Sequence, residues 1–159
     1  MLKTIFLRTT TILFVLILSA CSRQEFHLID GSPIKLDDYQ GKWKVINYWA
    51  EWCKPCLEEV PELNQFHDTM KDQVLFLSIS YDKLSNEELA KQTEKYQITY
   101  PVIATTPAPR INIPRPAALP ANFLIAPDGK TYGPVLGPHT AVSLGQLIKK
   151  YEKQWLSER

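Results

Sequence analysis

The sequence predicts an α/β fold: a central mixed sheet flanked by helices, with an extra β-hairpin at its N-terminal end. Three observations predict it. Residues 45–50 and 74–80 are apolar almost throughout, as strands buried on both faces are. The first run is followed by apolar residues at helical spacing and the second by a helix capping box. A pair of short strand-like segments around Pro127-Asp128-Gly129-Lys130 then precedes a last amphipathic helix, so the order reads β-hairpin, βαβα, ββα.

Composition bounds the function. The 159 residues are 45% hydrophobic and 22% charged, which describes one ordinary domain. A chain of this length buries about two-thirds of the surface that it exposes when unfolded. The formal charge of +1 excludes electrostatic capture of nucleic acid as the main activity. An aromatic content of 11% excludes intrinsic disorder. Three Cys are too few for a disulfide-stapled mini-protein.

Residues 1–20 read as a secretory signal peptide. Lys3 and Arg8 give a positive start, residues 12–18 are an unbroken apolar run, and the small residues Ser19 and Ala20 precede Cys21. From Thr10 to Ala20 a helix would extend about 16 Å at ~1.5 Å per residue, short of the ~30 Å hydrocarbon core, which argues against a membrane-spanning anchor. Leu18-Ser19-Ala20-Cys21 resembles the bacterial lipobox. That resemblance implies cleavage before Cys21 and a diacylglycerol thioether on its sulfur, with acyl chains anchoring at ~0.8 kcal/mol per buried methylene. The plainer alternative is cleavage after Ala20 with an incidental Cys. The expected organisation is a signal peptide over 1–20, a lipidated tether over 21–25 and a domain over 26–159. Loss of Lys3 and Arg8 takes the formal charge from +1 to −1. The compartment is oxidising, and one unmodified Cys pair is left.

In the mature chain, Asp30-Gly31-Ser32-Pro33 is a turn signal between residues 26–29 and 34–36, and predicts the hairpin. The strand over 45–50 leads to a helix starting near Cys53, with Leu57, Val60, Leu63 and Phe66 on one face and Pro61 kinking it. After the strand over 74–80, Ser85-Asn86-Glu87-Glu88 is a capping box, with Leu84 and Leu89 placed for a hydrophobic staple, for a helix ending near Tyr96. Five of the twelve prolines fall in residues 106–120, which predicts an irregular surface loop. Residues 121–125 and 131–135 form a hairpin, and Leu144, Leu147, Ile148, Tyr151 and Trp155 line the last helix. Trp43, Tyr48 and Trp49 are expected in the core or at its rim. His27, His67 and His139 are expected to be ordinary surface or partly buried residues.

The chemistry is carried by Trp52-Cys53-Lys54-Pro55-Cys56, where a buried strand hands over to a helix. The thiolate is the nucleophile of disulfide exchange. At a helix N-terminus Cys53 meets unpaired N–H groups and the positive dipole end, which can lower a Cys pKa from ~8.5 into the ~3.5–7.5 range. Cys56, one turn on, can attack a mixed disulfide formed on Cys53. Pro55 has the fixed φ of a first helical turn, and Lys54 adds a flexible cation. A structural disulfide closing so small a loop would contribute little stability. A zinc site needs four ligands, and no His stands at ligand spacing from the pair, so no metal is expected.

The segment from Val45 to Pro61 resembles the active-site segment of thioredoxins, with Pro61 five residues after Cys56 as in that pattern. Phe26, Asp30-Gly31, Leu36 and Gly41-Lys42 are similar to the N-terminal hairpin of TlpA/ResA-type membrane-tethered thioredoxins. Leu119-Pro120-Ala121-Asn122-Phe123-Leu124-Ile125 resembles that family's cis-proline loop and the strand after it. The resemblance spans essentially all of residues 25–155 and implies a thioredoxin fold. It implies a cis Pro120 facing Cys53, with the Leu119 backbone pairing with an extended substrate peptide. It also implies an apolar contact surface that includes Trp52. Leu119 stands where the family usually has a β-branched or small residue, and residues 106–118 are proline-heavy for the branch; both bear on substrate choice.

The resemblance implies a lipid-anchored thiol-disulfide oxidoreductase on the periplasmic side of a bacterial cell envelope. Cys53 attacks, Cys56 resolves, and the Cys53–Cys56 disulfide is the redox centre with no added cofactor. It is read as a disulfide reductase of exported proteins such as apocytochrome c, re-reduced by a membrane thiol donor. A monomer attached to the membrane through Cys21 is expected, and nucleic acid is not a partner. The alternatives are a disulfide oxidase or isomerase of the same fold, and a Sco-like copper-delivery protein with His139 as third ligand. That last family uses CxxxC where this chain has CxxC. A peroxiredoxin-type peroxidase is disfavoured, because the Pro…Thr pattern that precedes the peroxidatic Cys of that family is absent before Cys53. A redox-silent binding module is the remaining possibility.

Six residues before Cys53, where cytoplasmic thioredoxins have a buried Asp that is proposed to take the proton of the second Cys, stands Asn47. An amide cannot be that base. The expectation is that the pair ionises without a coupled carboxylate, the proton of Cys56 leaving to water, Glu51 or Glu58. The alternative is that Asn47 only satisfies buried backbone groups.

Overall fold

A computed structural model describes residues 25–109 and 111–159. Cys21 and the expected signal peptide lie outside the described residues. Among the described residues no helix is long and apolar enough to cross a membrane.

Strands β1 (Glu25–His27) and β2 (Pro33–Lys35) pair antiparallel, with Phe26 opposite Ile34. Their turn closes as its residues dictate: Asp30 Oδ1 accepts from Ser32 N at 2.8 Å, and Gly31 takes a φ of 85°. The first strand is shorter than the sequence predicted. Beyond His27 the backbone turns to the body of the protein, Ile29 N donating to Val102 O at 3.0 Å and Ala104 N to His27 O at 2.8 Å. A 3₁₀ turn, Leu36–Tyr39, leads on to β3.

The main sheet has the order β4-β3-β5-β6. Strand β3 (Trp43–Trp49) is central, parallel to β4 (Val74–Ser80) and antiparallel to β5 (Ala121–Ile125); β6 (Thr131–Leu136) pairs antiparallel with β5 at the edge. All residues of β3, β4 and β5 are buried, as the apolar runs require. Strand β3 starts two residues before the predicted run and takes in Lys44, which is buried with its pKa lowered by desolvation.

Alternation along β3 makes two cores. Trp43, Val45 and Trp49 pack with Leu63, Phe66 and Leu144 on the face that also holds Cys53 and Cys56. Ile46 and Tyr48 pack with Phe123 and Ile103 on the other face, which the hairpin covers through Phe26.

The helix after β3 is split into α1 (Lys54–Glu58) and α2 (Val60–Met70). Pro61 lies in the first turn of α2, where its missing N–H is tolerated, and the break falls at Glu59. Helix α3 (Asn86–Lys95) opens with the expected capping box of Ser85 and Glu88 and ends at Tyr96. Helix α4 (Ala141–Ser157) opens with a second box, Thr140 and Ser143, and buries Leu144 and Ile148.

Residues 106–118 contain no helix or strand among those described, as the prolines predicted. The loop is held by Asn86, whose Oδ1 accepts from Thr105 N and Thr106 N at 3.0 Å while its Nδ2 donates to Thr106 O at 2.7 Å. The Thr106–Pro107, Leu119–Pro120 and Gly133–Pro134 peptide bonds are cis.

Candidate active site

Strand β3 ends at Trp49, and the chain turns so that Cys53 becomes the N-cap of α1. The turn is closed by Cys53 N donating to Ala50 O at 3.1 Å. Cys53 Sγ accepts from Cys56 N at 3.3 Å, the sulfur counterpart of a capping hydroxyl. The two sulfurs are bonded, S–S 2.07 Å. Cys53 is 5% exposed and Cys56 1%, so the first Cys is the nearer to solvent although both lie in the core.

The neighbours of the pair form an uneven rim. Trp52 is 64% exposed, its indole N–H donates to the Asp82 carboxylate at 3.0 Å, and its ring meets Tyr81 edge-on at 6.0 Å. Arg115, from the proline-rich loop, stacks on the other partner of that contact, 3.7 Å from the centre of the Tyr81 ring. Lys54 is exposed and pairs with Glu58 at 3.5 Å, pointing its charge along the helix. Pro55 and Leu119 are half-buried, and Pro120 is buried. Pro120 directly precedes Ala121, which is opposite Tyr48, so the register brings it to the end of β3 from which the Cys helix departs. Leu119 packs against the core cluster that contains Cys53 and Cys56.

Behind the pair is a polar group that sequence reasoning assembled only in part. Asn47 is fully buried on β3, and its Nδ2 is 3.2 Å from both Glu59 Oε1 and Asn122 Oδ1. Glu59 is 3% exposed and stands one turn after Cys56, on the same face of the chain. Its Oε2 accepts from His139 N at 2.8 Å. Burial pushes the Glu59 pKa up to about 7, against the opposing hydrogen bonds from His139 and Asn47.

The sequence led to an expectation of no carboxylate behind the pair, and the structure places one within hydrogen-bond distance of Asn47. The β3 position carries an amide, but the carboxylate arrives from the α1–α2 junction instead. Glu51 and Glu58 are not buried beside the pair. Glu51 accepts from Lys95, Gln92 and Tyr96 on and after α3, and its pKa is lowered by Lys95 first. Glu58 is exposed and paired with Lys54. The signal that could have found Glu59 is its spacing: three after Cys56 and four before Leu63, on the buried stripe.

His139 is half-buried, its ring Nδ1 3.2 Å from Ser143 Oγ, and burial lowers its pKa. Among the described residues no cluster of three or more His, Cys, Asp or Glu could hold a metal ion. The chemistry open to this arrangement is thiol-disulfide exchange at Cys53–Cys56.

The AhpC/TSA family model matches residues 21–132. The thiol-disulfide oxidoreductase ResA of Bacillus thuringiensis subsp. konkukian is 30% identical over 125 residues, covering 77% of this chain and 70% of the relative. ResA of Geobacillus kaustophilus is 32% identical over 121 residues, covering 73% and 68%. A thioredoxin-family thiol:disulfide interchange protein from Chlorobium tepidum superposes with a TM-score of 0.64 at 25% identity, covering 79% of this chain and 90% of that one. StoA of Bacillus subtilis superposes with a TM-score of 0.64 at 22% identity, covering 77% and 92%, and shares the fold. The chain therefore belongs to the AhpC/TSA family and, within it, to the thioredoxin-fold thiol-disulfide oxidoreductases of the TlpA/ResA type.

Proposed function

We propose that this oxidoreductase is a disulfide reductase of exported proteins, tethered to the outer face of a bacterial membrane through lipidated Cys21. In the dithiol form Cys53 attacks a substrate disulfide, forming a mixed disulfide and releasing one substrate thiolate. Cys56 then loses its proton to Glu59 and attacks Cys53 Sγ, which releases the second substrate thiolate and closes Cys53–Cys56. Two electrons pass to the substrate, and a membrane thiol donor restores the dithiol. Trp52, Pro55, Leu119 and Pro120 form the rim on which the substrate chain lies, and Asn47 supports the site from behind.

The direction rests on one observation: a buried carboxylate, Glu59, lies one turn from Cys56. Once ionised, it disfavours a second negative charge on either sulfur. A dithiol that is poorly stabilised as thiolate holds its electrons weakly, which favours the disulfide and makes the pair a reductant. The N-cap position of Cys53 acts in the opposite sense, and is what an oxidase would exploit.

Acid-quenching cells and alkylating the free thiols tests the direction. A reductase is recovered mainly as dithiol at Cys53 and Cys56, whereas recovery mainly as disulfide overturns the reading in favour of an oxidase or isomerase. Cys21→Ser should move the protein from the membrane fraction to the soluble one; retention at the membrane removes the lipid tether.

A further inference from the structure

Among the described residues, the buried side-chain atoms without a hydrogen-bond partner include Asn47 Oδ1 and Asn122 Nδ2. Both belong to amides already joined to one another, because Asn47 Nδ2 is 3.2 Å from Asn122 Oδ1. The two residues are directly opposite across β3 and β5, and both are fully buried. Asn122 is paired with Val135 where the β5–β6 register shifts, and a Cβ at Gly133 would stand 2.8 Å from Asn122 O. The backbone around it is thus closely fixed, and its side chain is aimed at Asn47.

Half a turn of a terminal amide exchanges its oxygen and nitrogen at nearly the same positions. As observed, Asn47 spends both N–H groups, one on Glu59 Oε1 and one on Asn122 Oδ1, which suits a Glu59 carboxylate. With both amides turned, Asn47 Oδ1 accepts from a protonated Glu59 and from Asn122 Nδ2. The same two contacts survive with donor and acceptor reversed. The two orphaned atoms are the ones that the second arrangement would use.

We propose that Asn122 and Asn47 form a reversible amide relay that inverts when Glu59 takes the proton of Cys56, making Asn122 a positioning residue for the exchange reaction. This rests on the assignment of Glu59 as proton acceptor. In the step, the Sγ–H bond of Cys56 breaks and an O–H bond forms on Glu59; the Cys56 electron pair forms the bond to Cys53 Sγ as the mixed disulfide breaks and its electron pair leaves on the substrate thiolate. The His139 N–H remains on Oε2, so the proton settles on Oε1, against Asn47. Glu59 keeps a hydrogen bond in either state, which removes the loss that a one-way donor would impose on proton uptake.

The other titratable groups around Glu59 are Cys56 on α1, Tyr100 after α3, Glu62 on α2 and the His139 ring before α4. Tyr100 is raised by burial and then by the Glu59 charge, so it stays a phenol. Glu62 accepts from Ala141 N at 2.8 Å. Burial lowers the pKa of the His139 ring and so favours its neutral form.

The test is a pH titration of the protein by NMR, following the Glu59 carboxyl carbon and the side-chain amides of Asn47 and Asn122. Both amides should move with the midpoint of Glu59, and Glu59→Gln should flatten them. An Asn122 amide that stays flat while Glu59 titrates overturns the relay. Variants give an independent reading from the pH profile of disulfide exchange. Asn122→Ser, whose hydroxyl donates or accepts, should keep a single step near that of the wild type. Asn122→Asp, near in shape but only an acceptor when ionised, should split it. A packing role alone predicts the reverse order and contradicts the proposal. If Glu59→Gln leaves the exchange profile unmoved while the amides of the wild type still follow Glu59, the assignment of Glu59 as acceptor fails, and with it the role of Asn122 in exchange.

Discussion

The backbone N–H of His139 donates to Glu59 Oε2 at 2.8 Å and so joins the start of α4 to the junction of α1 and α2 behind the Cys pair. That bond favours the carboxylate, but burial opposes it more strongly and raises the Glu59 pKa from 4.5 to about 7. The sign of the stability effect follows. The folded protein holds this proton more tightly than the unfolded chain, so stability falls as pH rises through the interval from about 4.5 to about 7. Across it the loss is about 3 kcal/mol. Glu59→Gln should remove this component, giving a protein more stable than the wild type near pH 8. Urea unfolding of the two proteins between about pH 5 and about pH 8 checks it, and parallel pH dependences would contradict the account of Glu59.

Asn47→Asp would place a second carboxyl against Glu59, at the 3.2 Å that the amide now occupies. Two carboxylates that close cannot both ionise readily. The variant should show two coupled steps in the pH profile of exchange and raised apparent thiol pKa values. Superimposable profiles for wild type and variant would remove Asn47 from the proton chemistry.

Cys56→Ser leaves Cys53 able to attack but nothing to resolve the product. Mixed disulfides with partner proteins should accumulate in cells expressing it and be seen as reducible high-mass bands. Cys53→Ser should accumulate few. Equal trapping by the two variants would mean that the roles of the cysteines are misassigned.

Pro120 is buried at the end of β5 nearest the Cys helix, and Leu119 packs against the cluster holding the pair. Pro120→Ala should keep its circular dichroism spectrum yet exchange disulfides several-fold more slowly, or hold partners longer. Normal exchange by a folded variant would take Pro120 out of the substrate rim.

The fold was legible wherever local chemistry sets it. The Ser85–Glu88 box, the Asp30–Gly31 turn and the apolar strands each carry their own signal, and each element forms there, β3 starting two residues early. The cysteines were legible too, since a CxxC at a strand-to-helix junction is a local pattern. Glu59 was not, because a carboxylate near the start of a helix reads first as a dipole partner, and only the packing of α4 against α2 buries it. Asn122 was hidden for a related reason. Its partner is 75 residues away, and the meaning of a polar residue in an apolar strand depends on which strand lies opposite. The docking of the hairpin through Ile29 and Val102 was equally non-local.

The central claim is that Cys53 is the attacking thiol and that Glu59 governs its ionisation. Alkylation of the reduced protein across pH, with each Cys followed by mass spectrometry, tests both halves at once. The account predicts that Cys53 is modified before Cys56 at every pH, and that Glu59→Gln moves the midpoint of Cys53 reactivity to lower pH. Modification of Cys56 first, or a midpoint that Glu59→Gln leaves in place, would contradict it.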